Sequence, residues 1–248
     1  MTVNQKTMKF PRPADPTIEE VLRTFLDVSA QRLKPATFRK YKSVIELFTI
    51  SMNDYGSGKL SKAETVMFEA LYNARGAAHR EYCQVFGPEK IMGNVSEFLG
   101  YFMPRKVMGG KELMRAAGTV TKKLAQWLHE QGLVDTESAE AAMQTGASAA
   151  KALPAAVRLA EALYDYCRHH PVDDWSDEID DHFTVEKVQP DRLHLAPLLG
   201  DTPEDQTIVV NLPQAITALC QVGWEISLSL GRTKNGWRIL ESGTVYAL

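Results

Sequence analysis

The sequence predicts an α+β protein in which an N-terminal all-α bundle, a helical connector and a small C-terminal β-barrel follow one another along 248 residues. Apolar residues recur at helical spacing up to about residue 170, whereas apolar and polar residues alternate after residue 181. Glycine and proline breaks separate these periodic segments. The expected boundaries are a flexible arm over 1–16, a helical domain over 17–134, a connector with an acidic linker over 135–178, and the barrel over 179–248.

The first two helices are predicted from their start signals and their apolar stripes. Thr17 offers a cap, and Glu19 and Glu20 lie in a first turn where the helix dipole favours negative charge. The second helix is expected to begin near Pro35 and to end before Gly56. The predicted inward residues are Val21, Leu22, Phe25, Leu26 and Val28 on the first helix, and Tyr41, Val44, Ile45, Phe48 and Met52 on the second.

Three more helices are expected in the bundle. One is predicted over 61–86, and another starts at Gly87-Pro88 and is ended by Pro104 and the pair Gly109-Gly110. The fifth covers 111–131 with Gly132 as its C-cap. The expected inward residues are Ile91, Val95, Phe98, Leu99 and Phe102 on the fourth helix, and Val120, Leu124, Trp127 and Leu128 on the fifth.

The alanine-rich segment 136–170 predicts the connector helix. Pro154 is expected either to kink this helix or to open its second half. Leu153, Val157, Ala160, Leu163 and Tyr164 are the residues predicted to face a neighbouring domain. Dimerisation through this helix is the alternative role.

Five alternating segments predict the strands of the C-terminal module. Lys234-Asn235-Gly236 is a strong hairpin signal, and Pro213–Cys220 is predicted as a short helix. Because closure removes exposed sheet edges, this pattern favours a small closed barrel of SH3 or OB type. The predicted strands are Phe183–Val188, Leu193–Leu195, Thr207–Val210, Trp224–Leu230 and Trp237–Tyr246.

The net charge of −3 conceals an asymmetry between the two halves of the chain. Residues 1–133 hold 20 Lys and Arg against 13 Asp and Glu, a charge of +7. Residues 134–248 hold 8 Lys and Arg against 18 Asp and Glu, a charge of −10. A basic half attracts a phosphate backbone and an acidic half is repelled by it. Two domains that simply differ in charge would give the same numbers.

Two segments of the bundle carry a resemblance to a known family. The second helix contains Thr37, Tyr41, Ile45 and Phe48 at helical spacing, and the fifth contains Thr121–Leu128 followed by Gly132-Leu133-Val134. These segments resemble helices of the SAM-like core-binding domain of the phage-integrase, or tyrosine recombinase, family. The resemblance covers residues 17–133 and depends mostly on packing residues of a four-helix bundle.

The resemblance implies that the polar faces of these two helices contact duplex DNA. Lysine and arginine neutralise phosphates, while threonine hydroxyls and helix N-termini donate hydrogen bonds to phosphate oxygens. Solvated polar faces, which bundle helices generally have, are the competing explanation. The residues that the resemblance implies are Lys34, Thr37, Arg39, Lys40, Lys42, Lys111, Arg115, Thr119, Lys122 and Lys123.

The catalytic part of the family pattern does not follow in this sequence. That chemistry requires a His-x-x-Arg cluster and a nucleophilic tyrosine in a separate C-terminal domain, and no His-x-x-Arg occurs here. Tyr246 follows a predicted strand, so we expect it to be a barrel residue. The prediction is a non-catalytic protein that binds double-stranded DNA and uses no cofactor. The alternative is a protein-interaction adaptor whose acidic barrel binds a protein partner, or a homo-oligomer formed through the connector helix or the barrel.

Two further constellations have structural explanations. His169, His170 and His182 lie among aspartates, but their spacing matches no metal motif, so we expect an acidic linker and no metal. Trp224 and Trp237 could stack on single-stranded nucleic acid, although alternate residues of a small barrel must also fill its core. Core packing is the predicted role of both.

The terminus, the apolar runs and the cysteines bear on location. No apolar run approaches the roughly 20 residues of a membrane span, and the N-terminus lacks a signal-peptide core. Cys83, Cys167 and Cys220 are far apart in sequence. We therefore expect a cytoplasmic protein without membrane contact.

Overall fold

The computed structural model describes residues 12–198 and 207–248. Helices occupy the chain up to residue 169 and a five-stranded sheet occupies the C-terminal part, so the α+β class is confirmed. The helices are α1 (Ile18–Arg32), α2 (Pro35–Tyr55), α3 (Lys62–Tyr72), α4 (Tyr82–Val85), α5 (Val95–Glu97), α6 (Met103–Lys106), α7 (Lys111–Glu130), α8 (Thr136–His169) and α9 (Gln214–Thr217). The strands are β1 (Glu178–Gln189), β2 (Arg192–Pro197), β3 (Ile208–Asn211), β4 (Glu225–Thr233) and β5 (Gly236–Tyr246).

The chain folds into two compact units. Among the described residues, the first unit contains the chain up to Phe98 and Val120–Met143, and the second contains Leu99–Thr119 and the chain from Gln144 onward. Helices α7 and α8 each contribute one part to the first unit and the other part to the second.

The start of α1 follows the predicted cap. The Glu20 amide donates to Thr17 Oγ1 at 3.3 Å, and the Thr17 amide donates to Glu20 Oε2 at 2.9 Å, which completes a capping box. Of the predicted inward stripe, Val21, Leu22 and Phe25 are buried, Leu26 is half-buried, and Val28 is 36 % exposed. Ser29 is buried instead, because it lies one helical turn beyond the buried Phe25.

Aromatic rings form the core of the first unit. The Phe25 ring of α1 lies 5.9 Å from the Tyr41 ring of α2 and 5.4 Å from the Trp127 ring of α7. The predicted inward residues of α2 are all buried, and Phe48 packs against Phe98 at 4.7 Å. Such ring pairs contribute about 0.5–1.5 kcal/mol each beyond the area they bury.

The prediction of one continuous helix over 61–86 is wrong. Helix α3 ends at Tyr72, and Gly76 adopts a φ of 59°, a left-handed conformation that cannot continue a right-handed helix. A new start at Glu81 then begins α4, since the Glu81 side chain caps this helix and Gln84 returns the bond. Apolar periodicity alone did not reveal these local breaks.

The predicted fourth helix is divided into short turns, although its inward residues are buried as expected. Two 3₁₀ turns, α5, a π-helical turn over Phe98–Phe102 and α6 follow one another. The segment ends at Lys106, between the two predicted stop signals, since Pro104 lies in the first turn of α6 and Gly109-Gly110 follows the helix. Proline is tolerated there, since the first amide of a helix has no carbonyl partner to lose.

Helix α7 has the predicted C-cap. Gly132 has a φ of 70°, and its amide donates to the His129 carbonyl at 2.9 Å. The Leu133 amide donates to the Leu128 carbonyl at 3.0 Å, which completes a Schellman arrangement.

Helix α8 continues through Pro154 as one helix of 34 residues. Of the residues predicted to face a neighbour, Leu153 and Leu163 are buried and Val157 and Ala160 are half-buried. Leu163 lies in the core of the strand module together with Ala156 and Leu159, which were not among the predicted residues. Tyr164 does not face inward as predicted, because it is 56 % exposed. Leu159, one turn before Leu163 on the buried side of the helix, is fully buried.

The five strands pair as a closed barrel in the order β1-β2-β3-β5-β4, with β4 returning to β1. Neighbours are antiparallel except β3 and β5, which run parallel and share one residue pair, Val210 with Trp237. Gly236 has a φ of 99° in the predicted β4–β5 turn.

Strand β1 begins at Glu178, so the end of the predicted acidic linker is strand and Asp181 is buried. Alternate residues fill the interior, among them Trp224.

His79 fastens the segment between α3 and α4. Its Nδ1 is hydrogen-bonded to the Tyr72 carbonyl oxygen, and its Nε2 lies 3.1 Å from a Glu81 carboxylate oxygen. Only the protonated ring donates to two acceptors at once. The bond to Glu81, followed by the bond to Tyr72, raises the pKa of His79.

We predict that His79→Gln lowers the melting temperature more in mildly acidic than in alkaline solution. Because the folded pKa is raised, the stabilisation is complete below the unfolded value of about 6.5 and is lost as pH rises through the folded value. Thermal denaturation of both proteins on either side of neutrality measures this difference. The exposed His129→Gln is the control, and an effect of His79→Gln that is constant with pH would contradict the proposed bonding.

Gly118→Ala tests the close approach of α7 to α8 in the second unit. A Cβ at residue 118 would lie 2.3 Å from the Ala150 amide nitrogen and 2.5 Å from the Gly146 carbonyl oxygen. Backbone atoms cannot rotate away from a clash as a flexible side chain can. We therefore expect the free energy of unfolding to fall by about 1–3 kcal/mol in urea denaturation. Gly93→Ala is the control, since a Cβ there meets no atom within 4 Å. Equal stability of the two variants would refute the prediction.

Candidate nucleic-acid interface

All ten residues implied by the resemblance are exposed to solvent. On α2 they lie at the N-terminal end, where Lys34 is the N-cap residue and no carboxylate occupies the first turn. Lys42 lies 3.7 Å from Glu46, one turn further along the helix. Both of these side chains are more than half exposed, so this ion pair is weak and leaves Lys42 available to a stronger anion.

The candidates on α7 differ in their partners. Lys111 Nζ lies 2.7 Å from Glu161 Oε2, so the charge of this lysine is already matched. Lys123 Nζ donates to Gln126 Oε1 at 3.2 Å, a neutral partner that leaves its charge in place. Within residues 12–198 and 207–248, no ion pair engages Arg115 or Lys122.

One predicted role is not available in this structure. The Thr119 hydroxyl donates to the Arg115 carbonyl at 3.0 Å, one turn back along α7. Its single proton is therefore used, and it can meet a phosphate oxygen only by breaking that bond. The exposed Thr37 hydroxyl at the start of α2 remains the better threonine donor among the candidates.

Helix α7 exposes a basic stripe that contains no carboxylate between Glu112 and Glu130. Its buried residues lie on the other side of the helix, as in an amphipathic helix of a bundle. Helical spacing also places Gln126 and His129 beside Lys122, at four and seven residues beyond it. The sequence prediction omitted these two because it considered cationic and threonine side chains alone.

The described ring contacts join α2 and the Val120–Glu130 part of α7 through their apolar sides. Tyr41 and Trp127 both face the ring of Phe25, which is fully buried. The polar sides of the two helices therefore point away from that shared ring. Each basic face meets solvent by itself, and no described contact joins the two.

Two of the cysteines are buried, and two histidines of the histidine-rich segment are hydrogen-bonded to the backbone. Burial raises the pKa of the Cys83 and Cys220 thiols to about 12, so both are poor nucleophiles at neutral pH. His169 and His170 hydrogen-bond to carbonyl oxygens of α8 one turn before them. In the described ranges, no group of three His, Cys, Asp or Glu residues is placed to hold a metal ion.

Tyr246 lies in β5 opposite Glu225, and its ring is 5.6 Å from that of His182. It is therefore a barrel residue, as the sequence predicted. Trp224 is buried in the barrel core as predicted, whereas Trp237 is half-buried with the Arg232 guanidinium 6.0 Å above its ring.

No protein-family model, curated protein or solved structure matches this chain. Among the described helices, none has the length and apolar content needed to cross a lipid bilayer.

We predict that Glu161→Gln strengthens the attraction of Lys111 to a polyanion. The substitution removes the carboxylate that lies 2.7 Å from the ammonium, and both side chains are about half exposed. The free energy of unfolding should therefore change by less than about 1 kcal/mol. Fluorescence anisotropy with labelled duplex DNA at low ionic strength measures the gain, with the exposed Glu140→Gln as control. Equal affinities of the two variants would place Lys111 outside the binding face.

Proposed function

We propose that this protein is a non-catalytic DNA-binding protein that contacts the duplex backbone through the basic faces of α2 and α7. The observation that carries the proposal is the exposed stripe of α7, where Arg115, Lys122 and Lys123 follow one another without a carboxylate between Glu112 and Glu130. The exposed cations at the start of α2 give a second contact of the same kind. The resemblance of residues 17–133 to a recombinase core-binding domain supports this assignment.

The proposed contacts act through phosphate charge. Each lysine or arginine that reaches a phosphate releases condensed counterions, so affinity falls as salt concentration rises. Such contacts set the position of a protein on DNA and read little sequence directly. The net charge of +7 over residues 1–133 increases the rate of encounter with a polyanion.

The second part of this proposal concerns the C-terminal module, which we assign to the OB type of barrel. Three features support OB over SH3: the order β1-β2-β3-β5-β4, the short helix α9 between β3 and β4, and the parallel β3–β5 pair. In the proposed protein this acidic module serves protein contact or oligomerisation. Three free cysteines support a reducing, cytoplasmic location.

A protein-interaction adaptor is the second candidate function. Two observations favour it: Glu46 and Glu161 already face Lys42 and Lys111, and the second unit exposes an apolar groove beside Met108. In this case the bundle is a scaffold, and the protein binds a polypeptide rather than DNA. Fold alone does not decide between the two functions.

The paired substitution of Lys122 and Lys123 with Ala tests DNA binding. We expect affinity for duplex DNA to fall to a similar extent for unrelated sequences, and the slope of log K against log salt to become shallower by about 2. Anisotropy titrations over a range of salt concentrations measure both quantities.

The matched control for this experiment is Lys187→Ala with Lys234→Ala. It removes the same charge from exposed positions of the barrel and should leave both quantities close to the wild-type values. Absence of wild-type binding at low salt would refute the proposed function, as would binding that does not respond to salt.

A further inference from the structure

A cavity of about 500 Å³ lies within the second unit between α8 and the C-terminal half of β5. Helix α8 lines it with Leu153, Val157 and Tyr164, and β5 lines it with Ser242–Val245. The loop after α6 forms a lip that includes Met108. A cavity of this size and apolar character is in the range of sites that bind ligands or peptide side chains.

The β5 wall of this groove lies beyond the single residue pair through which β5 joins β3. Strand β5 pairs with β4 along its length, but on its other side its described strand partner is β3 at Trp237 alone. Of the part of β5 beyond Trp237, Ser242–Val245 line the groove, and this stretch has no described strand partner on the side away from β4. The Ser242 Oγ is buried beside the Cys167 thiol, a weak hydrogen-bonding group, and no described nitrogen or oxygen satisfies it. Unpaired edges of this kind can accept an added strand.

The lip of the groove combines positive charge with exposed apolar side chains. The segment from Arg105 to Lys111 carries three cations and no carboxylate. At its centre Met108 is fully exposed, and Tyr164 on the facing helix is 56 % exposed. Exposed methionine is an adaptable apolar contact for partner side chains. Within the groove lining, Glu161 is matched by Lys111, so the remaining charge of the lip is positive.

We propose that this groove binds an extended segment of a partner protein, which adds as a strand to the free edge of β5. Apolar side chains at alternate positions of the segment enter the groove, and acidic residues that flank them meet Arg105 and Lys106. This inference gives the adaptor function its site and its class of partner, and it does not depend on DNA binding.

An extended chain fits these features better than the other occupants. A strand satisfies the backbone edge along Ser242–Val245, whereas a helix or duplex DNA would leave those groups unpaired. DNA would also place charged phosphates against the apolar wall of Leu153 and Val157, at a high desolvation cost. A basic lip favours an acidic partner segment over a basic one through charge complementarity.

Selection from a phage-displayed library of random dodecapeptides tests the proposal on the full-length protein. We expect enriched peptides to carry apolar residues at alternate positions with flanking Asp or Glu. Synthetic labelled copies should bind in anisotropy assays, and N-methylation of their backbone at alternate residues should abolish binding. No enrichment over an unrelated protein would overturn the proposal, as would enriched peptides with helical i, i+3, i+4 spacing.

Substitutions inside and outside the groove test where the peptide binds. Met108→Asp should weaken peptide binding by about tenfold or more, the effect of losing an interface anchor. The control is Val222→Asp, which alters an exposed valine outside the groove lining and should leave affinity unchanged. Replacing Arg105 and Lys106 with Ala should weaken binding mainly at low salt. Unfolding curves confirm that each variant is folded, and equal effects of both Asp variants would overturn the proposal.

Other occupants give separate results that count against this proposal. Sedimentation that shows a dimer lost in Met108→Asp, without peptide enrichment, would assign the groove to a second copy of the chain. Loss of duplex binding in Met108→Asp, again without peptide enrichment, would assign it to DNA. Lys122→Ala with Lys123→Ala should leave peptide binding intact, so failure of the DNA proposal and failure of this one are distinguishable.

Discussion

The second unit depends on the packing of α8 against the barrel. Strands β3 and β5 share the single described pair of Val210 with Trp237, which is the shortest strand pairing in the barrel. Leu159 and Leu163 are fully buried in the same core as the inward residues of the strands. Burial of two leucines contributes about 3–6 kcal/mol when each is worth 1.5–3. A segment that the sequence indicates as a connector is therefore part of the barrel core.

The packing of α8 also determines where the groove of the second unit lies. Helix α8 covers the barrel through Ala156, Leu159 and Leu163, and its backbone at Gly146 and Ala150 lies so close to Gly118 of α7 that no side chain fits there. Both contacts fix the helix, and the groove lies on the part of its surface that they leave uncovered. The free length of β5 and the exposed Met108 border the same space. The groove thus lies where α8 meets the part of β5 beyond its pair with β3.

The local elements were predictable from the sequence because their causes are local. The capping box of Thr17 with Glu20, the left-handed Gly132 and the turn at Gly236 each depend on residues within about five positions. The continuous helix over 61–86 failed because alanines and apolar residues keep a helical period through a segment that Gly76 ends. Most of the apolar positions predicted to face inward are buried, and the misses at Val28 and Tyr164 arise because tertiary packing decides how far the edge of an apolar stripe is covered.

The candidate site shows the same division between local and distant causes. Exposure of the basic residues of α2 and α7 follows from helical spacing, so the sequence predicted it correctly. The ion pair of Lys111 with Glu161 joins residues 50 positions apart, and no pattern within α7 indicates it. The total charge of each half of the chain therefore does not show whether a particular lysine is free to bind an anion.

Lys122 meets solvent with its charge unmatched by any described carboxylate. The charge of Lys111, in contrast, is matched by Glu161, and the surroundings of Lys111 include an apolar wall. We therefore propose a polyanion as the partner of the middle of α7 and a polypeptide as the partner of the lip near Met108, because only a partner with apolar side chains recovers the free energy of covering that wall.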